Sequence, residues 1–166
     1  MLRIARATDP GGDYRHVPGD NFSELPTASF NVVLSAFTFD NIPGVTKGRI
    51  FRDLGARLAP DGKIVSIVSS PEIYLHEWAS FSTRDFPENA RAKSGDIVRI
   101  IVTDHVDRRP VEDIVCSDES YGAIYRESGL EVVQMLAPLA EGNEPYTWVS
   151  ETRIAPWTIY VLRQST

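Results

Sequence analysis

The chain has 166 residues, 42% of them hydrophobic, with 17 Lys and Arg against 23 Asp and Glu for a net charge of −6. That size suits one domain able to bury its own core, and the acidic balance argues against a nucleic-acid binder, which would concentrate Lys and Arg. Cys116 is the only cysteine, so no intrachain disulfide can form and a reducing, cytoplasmic setting is expected; no apolar run approaches the roughly 20 residues that span a bilayer, and MLRIARATDP lacks the apolar centre of a signal peptide.

In chain order, MLRIARAT reads as the tail of a helix stopped by Asp9-Pro10-Gly11-Gly12, and Tyr14 to Val17 as a short strand. The unit from Ser29 to Ser69 carries the strongest signal. Phe30 to Ala36 holds Val32, Val33 and Leu34 without polar alternation, the pattern of a strand covered on both faces. A helix follows with Ile50, Leu54 and Leu58 on one stripe and Phe51 beside it, while Lys47, Arg49, Arg52, Asp53 and Arg57 are expected to face water. Ala59-Pro60-Asp61-Gly62 stops that helix and reverses the chain into a second strand, Lys63 to Val68. Strand, helix and strand make a βαβ crossover and therefore a parallel sheet in an α/β domain.

Beyond it, Ser69-Ser70-Pro71-Glu72 reads as a helix start, with the helix running to about Phe81. The stretch after Gly95 reads as an antiparallel hairpin turning at Asp107-Arg108-Arg109-Pro110. Ser117 or Asp118 caps a helix with Tyr121, Ile124 and Tyr125 inward, ended by Ser128-Gly129. Leu130 to Leu136 and Ile154 to Leu162 complete the strands, Pro156 requiring a bulge or the strand's first residues.

GDNFSELPTASFNVVLSAFTFDNI, then a helix, then LAPDGKIVSIV, YRESGLEVVQM and a terminal strand together resemble the class I S-adenosylmethionine-dependent methyltransferases of small-molecule type. The resemblance implies a Rossmann-like sheet of order 3-2-1-4-5-7-6, of which this chain carries the C-terminal two thirds with an added β-hairpin. It implies S-adenosylmethionine as cofactor, with Asp20 and Asn21 beside the adenine and Ser35, Ala36 and Phe37 at the strand end near the methyl donor. Leu58 to Lys63 match the L-x-P-x-G-K turn, and Tyr125, Gly129 and Leu130 the aromatic-Gly-Leu pattern before a late strand. The departure is that no G-x-G occurs anywhere, whereas the resemblance calls for a glycine-rich cofactor loop after a first strand. The chain therefore reads as a single truncated domain: an internal start, a shortened gene or a deliberate fragment. Without its usual neighbour, the edge of Phe30 to Ala36 is expected to be bare, inviting a homo-oligomer or a covering N-terminal segment.

Asp20 is alternatively a turn former after Pro18-Gly19. Ser35 and Phe37 have an argument of their own, because open α/β sheets bind ligands at the carboxyl ends of their strands. Phe39, Tyr74, Trp78 and Trp148 are candidate substrate contacts, with ordinary packing as the alternative for Phe39 and Trp148. His76 is a candidate general base or a surface, hydrogen-bonded histidine; helical spacing would set it opposite Tyr74 and Trp78. Asp104, His105 and Asp107 look like hairpin-end residues rather than a metal site, and Cys116 like a buried, inert thiol. The expected function is methyl transfer to a small-molecule acceptor, impaired by the missing glycine loop, with no nucleic-acid or membrane partner; the alternative is a non-catalytic binding or oligomerisation module.

Overall fold

Leu58 ends a helix and turns the chain so that the apolar run Ile64 to Val68 lies beside Phe30 to Ala36, and this pairing organises everything after it. A computed structural model describes residues 2–17 and 20–165; Pro18 and Gly19, expected in a turn before Asp20, lie outside the described residues. The elements are α1 (Leu2–Thr8), β1 (Phe30–Ala36), α2 (Gly44–Arg57), β2 (Leu58–Ser69), β3 (Phe81–Ser82), β4 (Ile97–Val102), β5 (Val111–Ile114), α3 (Asp118–Glu127), β6 (Leu130–Leu136) and β7 (Trp157–Gln164).

A four-stranded sheet has the order β1-β2-β7-β6, and β3-β4-β5 form a separate small sheet. β1 and β2 are parallel, whereas β7 runs antiparallel to both β2 and β6. The order matches the 4-5-7-6 portion of the expected sheet. Between β1 and β2 the register jumps from Phe30↔Leu58 to Val32↔Lys63, so Ala59 to Gly62 loop out of the ladder. Gly62 is required there: a Cβ would stand 2.7 Å from the Phe30 carbonyl oxygen. Pro156 falls just before β7, where its missing N–H costs the ladder nothing.

Helices α2 and α3 cover one face of the sheet. Their Phe51, Leu54, Tyr121 and Tyr125 meet Ile64, Val68, Tyr160 and Leu162 in one core, with Phe51 stacked on Phe39 at 4.3 Å and edge-on to Tyr125 at 4.9 Å. Ser117 caps α3 by accepting the Ser120 N–H at 3.2 Å, and Gly129 ends it at φ +75°.

Four expectations are corrected. β1 is not covered on both faces: Val32 and Leu34 are 63% and 66% exposed, because no helix among the described residues buries the face that carries them. Lys47 and Arg57 do not face water. Lys47 is buried with its ammonium 5.0 Å from the Tyr121 ring centroid, and Arg57 reaches Asp53 at 2.8 Å and the Leu25 carbonyl at 2.8 Å. Tyr14 to Val17 form no strand. They have no ladder partner, and Tyr14 instead donates its hydroxyl to Asp9 while its carbonyl accepts from Arg6. The helix expected to reach Phe81 is a single 3-10 turn, Pro71–Tyr74. Tertiary hydrogen bonds overrule the local helix signal, since the Trp78 indole donates to the Ile73 carbonyl and Glu77 accepts from Thr83 N–H and Ser82 Oγ.

Phe51 is wholly buried where helix, sheet and α3 meet. Phe51→Ala is expected to lower unfolding free energy by about 3–5 kcal/mol in a denaturant titration; a loss within experimental error would place the core elsewhere.

Candidate functional site

Parallel strands point their carboxyl ends the same way, and ligands of open α/β sheets bind there because the chain must splay apart to leave the sheet. At that end of β1, Phe37 takes φ +53°, a left-handed conformation that costs a residue with a Cβ on the order of 1 kcal/mol. The Phe37 N–H still donates to the Ile67 carbonyl at 2.9 Å. Its ring is turned out of the strand, edge-on to Trp157 at 4.7 Å. Three residues on, the buried carboxylate of Asp40 accepts the Ser69 N–H at 3.0 Å and the Ser69 hydroxyl at 3.1 Å, while the Asp40 carbonyl accepts the Ile114 N–H at 2.7 Å. One residue thus ties the ends of β1 and β2 to the hairpin.

The hairpin strands fold over this end. Asn89 fastens them: its Nδ2 donates to the Arg99 carbonyl at 2.8 Å and the Tyr74 carbonyl at 3.3 Å, and its Oδ1 accepts the Arg99 N–H at 3.2 Å. Beneath lies a cavity of about 320 Å³ lined by Phe37, Asp40, Ser69, Phe81, Asp113 and Trp157, with Ile73, Ile100, Val102 and Val111 as its apolar surface. Tyr74 donates its hydroxyl to Asp113 Oδ2 at 3.3 Å. Burial, reinforced by the negative charge of Asp40, pushes the Asp113 carboxyl up to about 6. Burial raises Asp40 as well, opposed by the two Ser69 hydrogen bonds and by Lys47. The same desolvation lowers Lys47 and raises the Cys116 thiol beside it, which leaves that thiol a poor nucleophile.

The expected site residues are distributed over several surfaces. Ser35, Phe39 and Phe22 line a groove of about 400 Å³ between the β1 edge and α2, floored by Val33, Ile42, Ile50 and Leu54. Ser35 Oγ is buried there without a hydrogen-bond partner, while Phe39 is a core residue at 1% exposure. Asp20 accepts from Arg49 at 2.8 Å, and Asn21 Oδ1 accepts the Ser23 N–H at 3.0 Å. Ala36 is exposed. Trp78 and Trp148 line a cleft of about 530 Å³ on the other side of Trp157, and the Trp148 indole donates to Glu144. Tyr74 borders a hollow of about 430 Å³ with Glu77, Thr83 and Arg84. His76 pairs with Glu72 at 3.0 Å on the surface and lines none of these cavities.

Sequence reasoning missed Asp40, Ser69, Asp113 and Trp157. A signal existed for two of them. Asp40 follows the carboxyl end of the strongest strand, and alternation along VEDI puts Asp113 on the same face as Val111, an acidic side chain where an apolar one belongs.

A nucleoside-bearing cofactor is partly matched by the β1 groove. The orphaned Ser35 oxygen suits a hydroxyl and the apolar floor suits a flat base, whereas the sequence has no G-x-G to bring backbone close to a second end of the molecule.

No family model matches the chain, and no curated protein matches it in sequence. Solved structures do match. A putative S-adenosylmethionine-dependent methyltransferase from Listeria monocytogenes superposes with a TM-score of 0.70 at 16% identity, over 100% of this chain and 76% of that one. A methyltransferase from Methanosarcina mazei gives 0.64 at 10% identity, over 99% and 77%, and one from Leishmania major 0.60 at 16%, over 98% and 51%. The chain spans about half the length of the Leishmania protein. The chain shares its fold with these methyltransferase structures.

Asp113 binds its proton more tightly in the folded protein than an unfolded aspartate, whose ordinary value is 3.8. Ionising it therefore costs stability as pH rises through that interval. Asp113→Asn is expected to gain melting temperature relative to wild type as pH rises from about 4 to about 7; a difference independent of pH would show that Asp113 titrates normally.

Proposed function

We propose that the chain serves methyl transfer from S-adenosylmethionine to a small-molecule acceptor held in the 320 Å³ cavity beneath the hairpin. The observation that carries the reading is the position of that cavity: it opens at the carboxyl ends of β1 and β2, in a sheet with the strand order of the methyltransferase fold, and contains carboxylates able to manage a proton. The acidic net charge, with Arg108-Arg109 too short a basic cluster to reverse it, suits a small acceptor better than a nucleic acid. A reducing, cytoplasmic setting belongs to the same reading; no helix among the described residues is long and apolar enough to cross a membrane.

Ser35, Ala36 and Phe37 would hold the cofactor at the end of β1, with Asp20 and Asn21 on the approach to the groove. When bound, the cofactor supplies an electrophilic methyl group on a sulfonium. The protein's residues supply the rest. Phe37, Phe81 and Trp157 exclude water and fix the acceptor between them, Asp40 keeps the two strand ends and the hairpin in register, and Asp113 receives a proton from the acceptor. Without a G-x-G loop, cofactor affinity is expected to be weak.

The bare apolar edge and face of β1 favour a second reading, a non-catalytic module that associates through them.

Calorimetry with S-adenosylhomocysteine separates the two. Weak but saturable binding below millimolar ligand is the outcome expected of a methyltransferase lacking the G-x-G loop, micromolar binding excludes the non-catalytic module, and no binding at millimolar ligand removes methyl transfer by this chain. Light scattering tests the edge directly: wild type is expected to self-associate, and Leu34→Lys to shift it towards monomer without loss of melting temperature. A wild type that is monomeric at high concentration ends the second reading.

A further inference from the structure

We infer that the cavity beneath the hairpin takes its acceptor as a protonated amine, with the free carboxylate oxygen of Asp113 as counter-ion and proton acceptor. The inference rests on the proposed methyltransferase reading of the same cavity and adds the acceptor's chemical class.

The two carboxylates differ in what they have left to offer. Both oxygens of Asp40 are engaged by Ser69. Asp113 is 7% exposed and lines the cavity, yet only its Oδ2 has a partner, the Tyr74 hydroxyl; Oδ1 accepts no hydrogen bond among the described residues. That oxygen opens into the cavity with its lone pairs free. A donor entering the cavity would engage them in a charge-assisted hydrogen bond.

Charge decides which donor. Three groups act on Asp113 from the elements packed around it: Tyr74 from the 3-10 turn, Asp40 from the loop after β1, and Lys47 from α2. Two carboxylates thus face one ammonium. That ammonium sits against the Tyr121 ring and forms no salt bridge with either carboxylate among the described residues. No Lys or Arg lines the cavity. A cationic ligand would balance the charge, a neutral alcohol would leave it uncompensated, and an anion would be repelled.

The walls agree. Trp157 meets Phe37 edge-on at 4.7 Å and Phe81 at 5.8 Å, and all three rings line the cavity that Asp113 lines. Ring faces attract ammonium groups, most strongly where water is excluded.

An ammonium nitrogen has no lone pair to form a new bond. One proton passing from nitrogen to Asp113 Oδ1 leaves a neutral carboxylic acid and a neutral amine whose lone pair is free. Burial and Asp40 have already raised the proton affinity of Asp113, which makes it a better acceptor than a solvated carboxylate.

Calorimetry with phenethylamine and its neutral isostere 2-phenylethanol, at about pH 7.5, tests the charge requirement. The amine is expected to bind at least about tenfold more tightly, as a charge-assisted hydrogen bond allows. In Asp113→Asn the preference should fall to about twofold or less, chiefly through weaker binding of the amine. Equal binding of the two probes, no binding of the amine, or a preference that survives in Asp113→Asn overturns the proposal. Wild type alone supplies a check that does not depend on how the variant folds: the preference should shrink at about pH 5, where Asp113 is largely protonated, and a preference identical at both pH values is a refutation. Amine selectivity without S-adenosylhomocysteine binding would keep this inference and remove methyl transfer, whereas the reverse result would remove this inference alone.

Discussion

The Asp40 carboxylate is the point at which the two halves of the molecule are joined. Through Ser69 N–H and Oγ it holds the end of β2 against the loop that leaves β1, and through its own carbonyl it holds Ile114 at the end of β5. Parallel strands diverge at their carboxyl ends because each must leave by a crossover, and the gap is where a ligand fits. Asp40 keeps that gap open at a defined width while anchoring the hairpin across it. A buried charge with these hydrogen bonds is tolerated, although without them its desolvation would be prohibitive.

Around this junction the molecule has two cores of different character. The larger lies between α2, α3 and one face of the sheet, dominated by Phe39, Phe51, Tyr121, Tyr125 and Tyr160. The smaller packs Ile73, Tyr74, Trp78, Val98, Ile100 and Val115 under the hairpin. The cavity lies between them, walled by Trp157, the first residue of β7. Rigid packing on both sides suits a site whose carboxylates must be kept from water. The other face of the sheet has no such cover among the described residues. Leu34, Val65 and Val161 stand in one cross-strand row and Ala36, Ile67, Ile159 and Leu136 in the next, an apolar surface of the kind that marks an interaction region.

Much of the architecture was legible because its signals are local. The strands β1 and β2, the Ile50-Phe51-Leu54 stripe and the Gly129 stop each depend on a few neighbouring residues and form where they were read, although β1 is bare on one face, Leu58 opens β2 instead of closing the helical stripe, and Ser117 is the cap of the two residues offered. The failures have a common cause. Lys47 follows a helical period that points it outward, yet the Tyr121 ring and the charges of Asp40 and Asp113 draw it into the core. Pro71 and Glu72 announce a helix, yet Ile73 and Glu77 have better partners in Trp78 and Thr83. In both cases a long-range partner outweighs local propensity.

The sequence by itself determined the fold class and, through its resemblance, the strand order, because periodicity, turn residues and the spacing of motifs are properties of short segments. Only the tertiary structure decided which side chains meet there. Asp40 and Asp113 lie more than seventy residues apart in the chain and come to one cavity because the hairpin folds back over the sheet. Meanwhile Tyr74 and Trp78, which helical spacing would set on one face, border different cavities, Trp78 sharing its cleft with Trp148, and His76 lies on the surface beside Glu72. A carboxylate's neighbours set its charge, its proton affinity and its free hydrogen-bonding capacity, and those neighbours are brought to it by packing between distant segments.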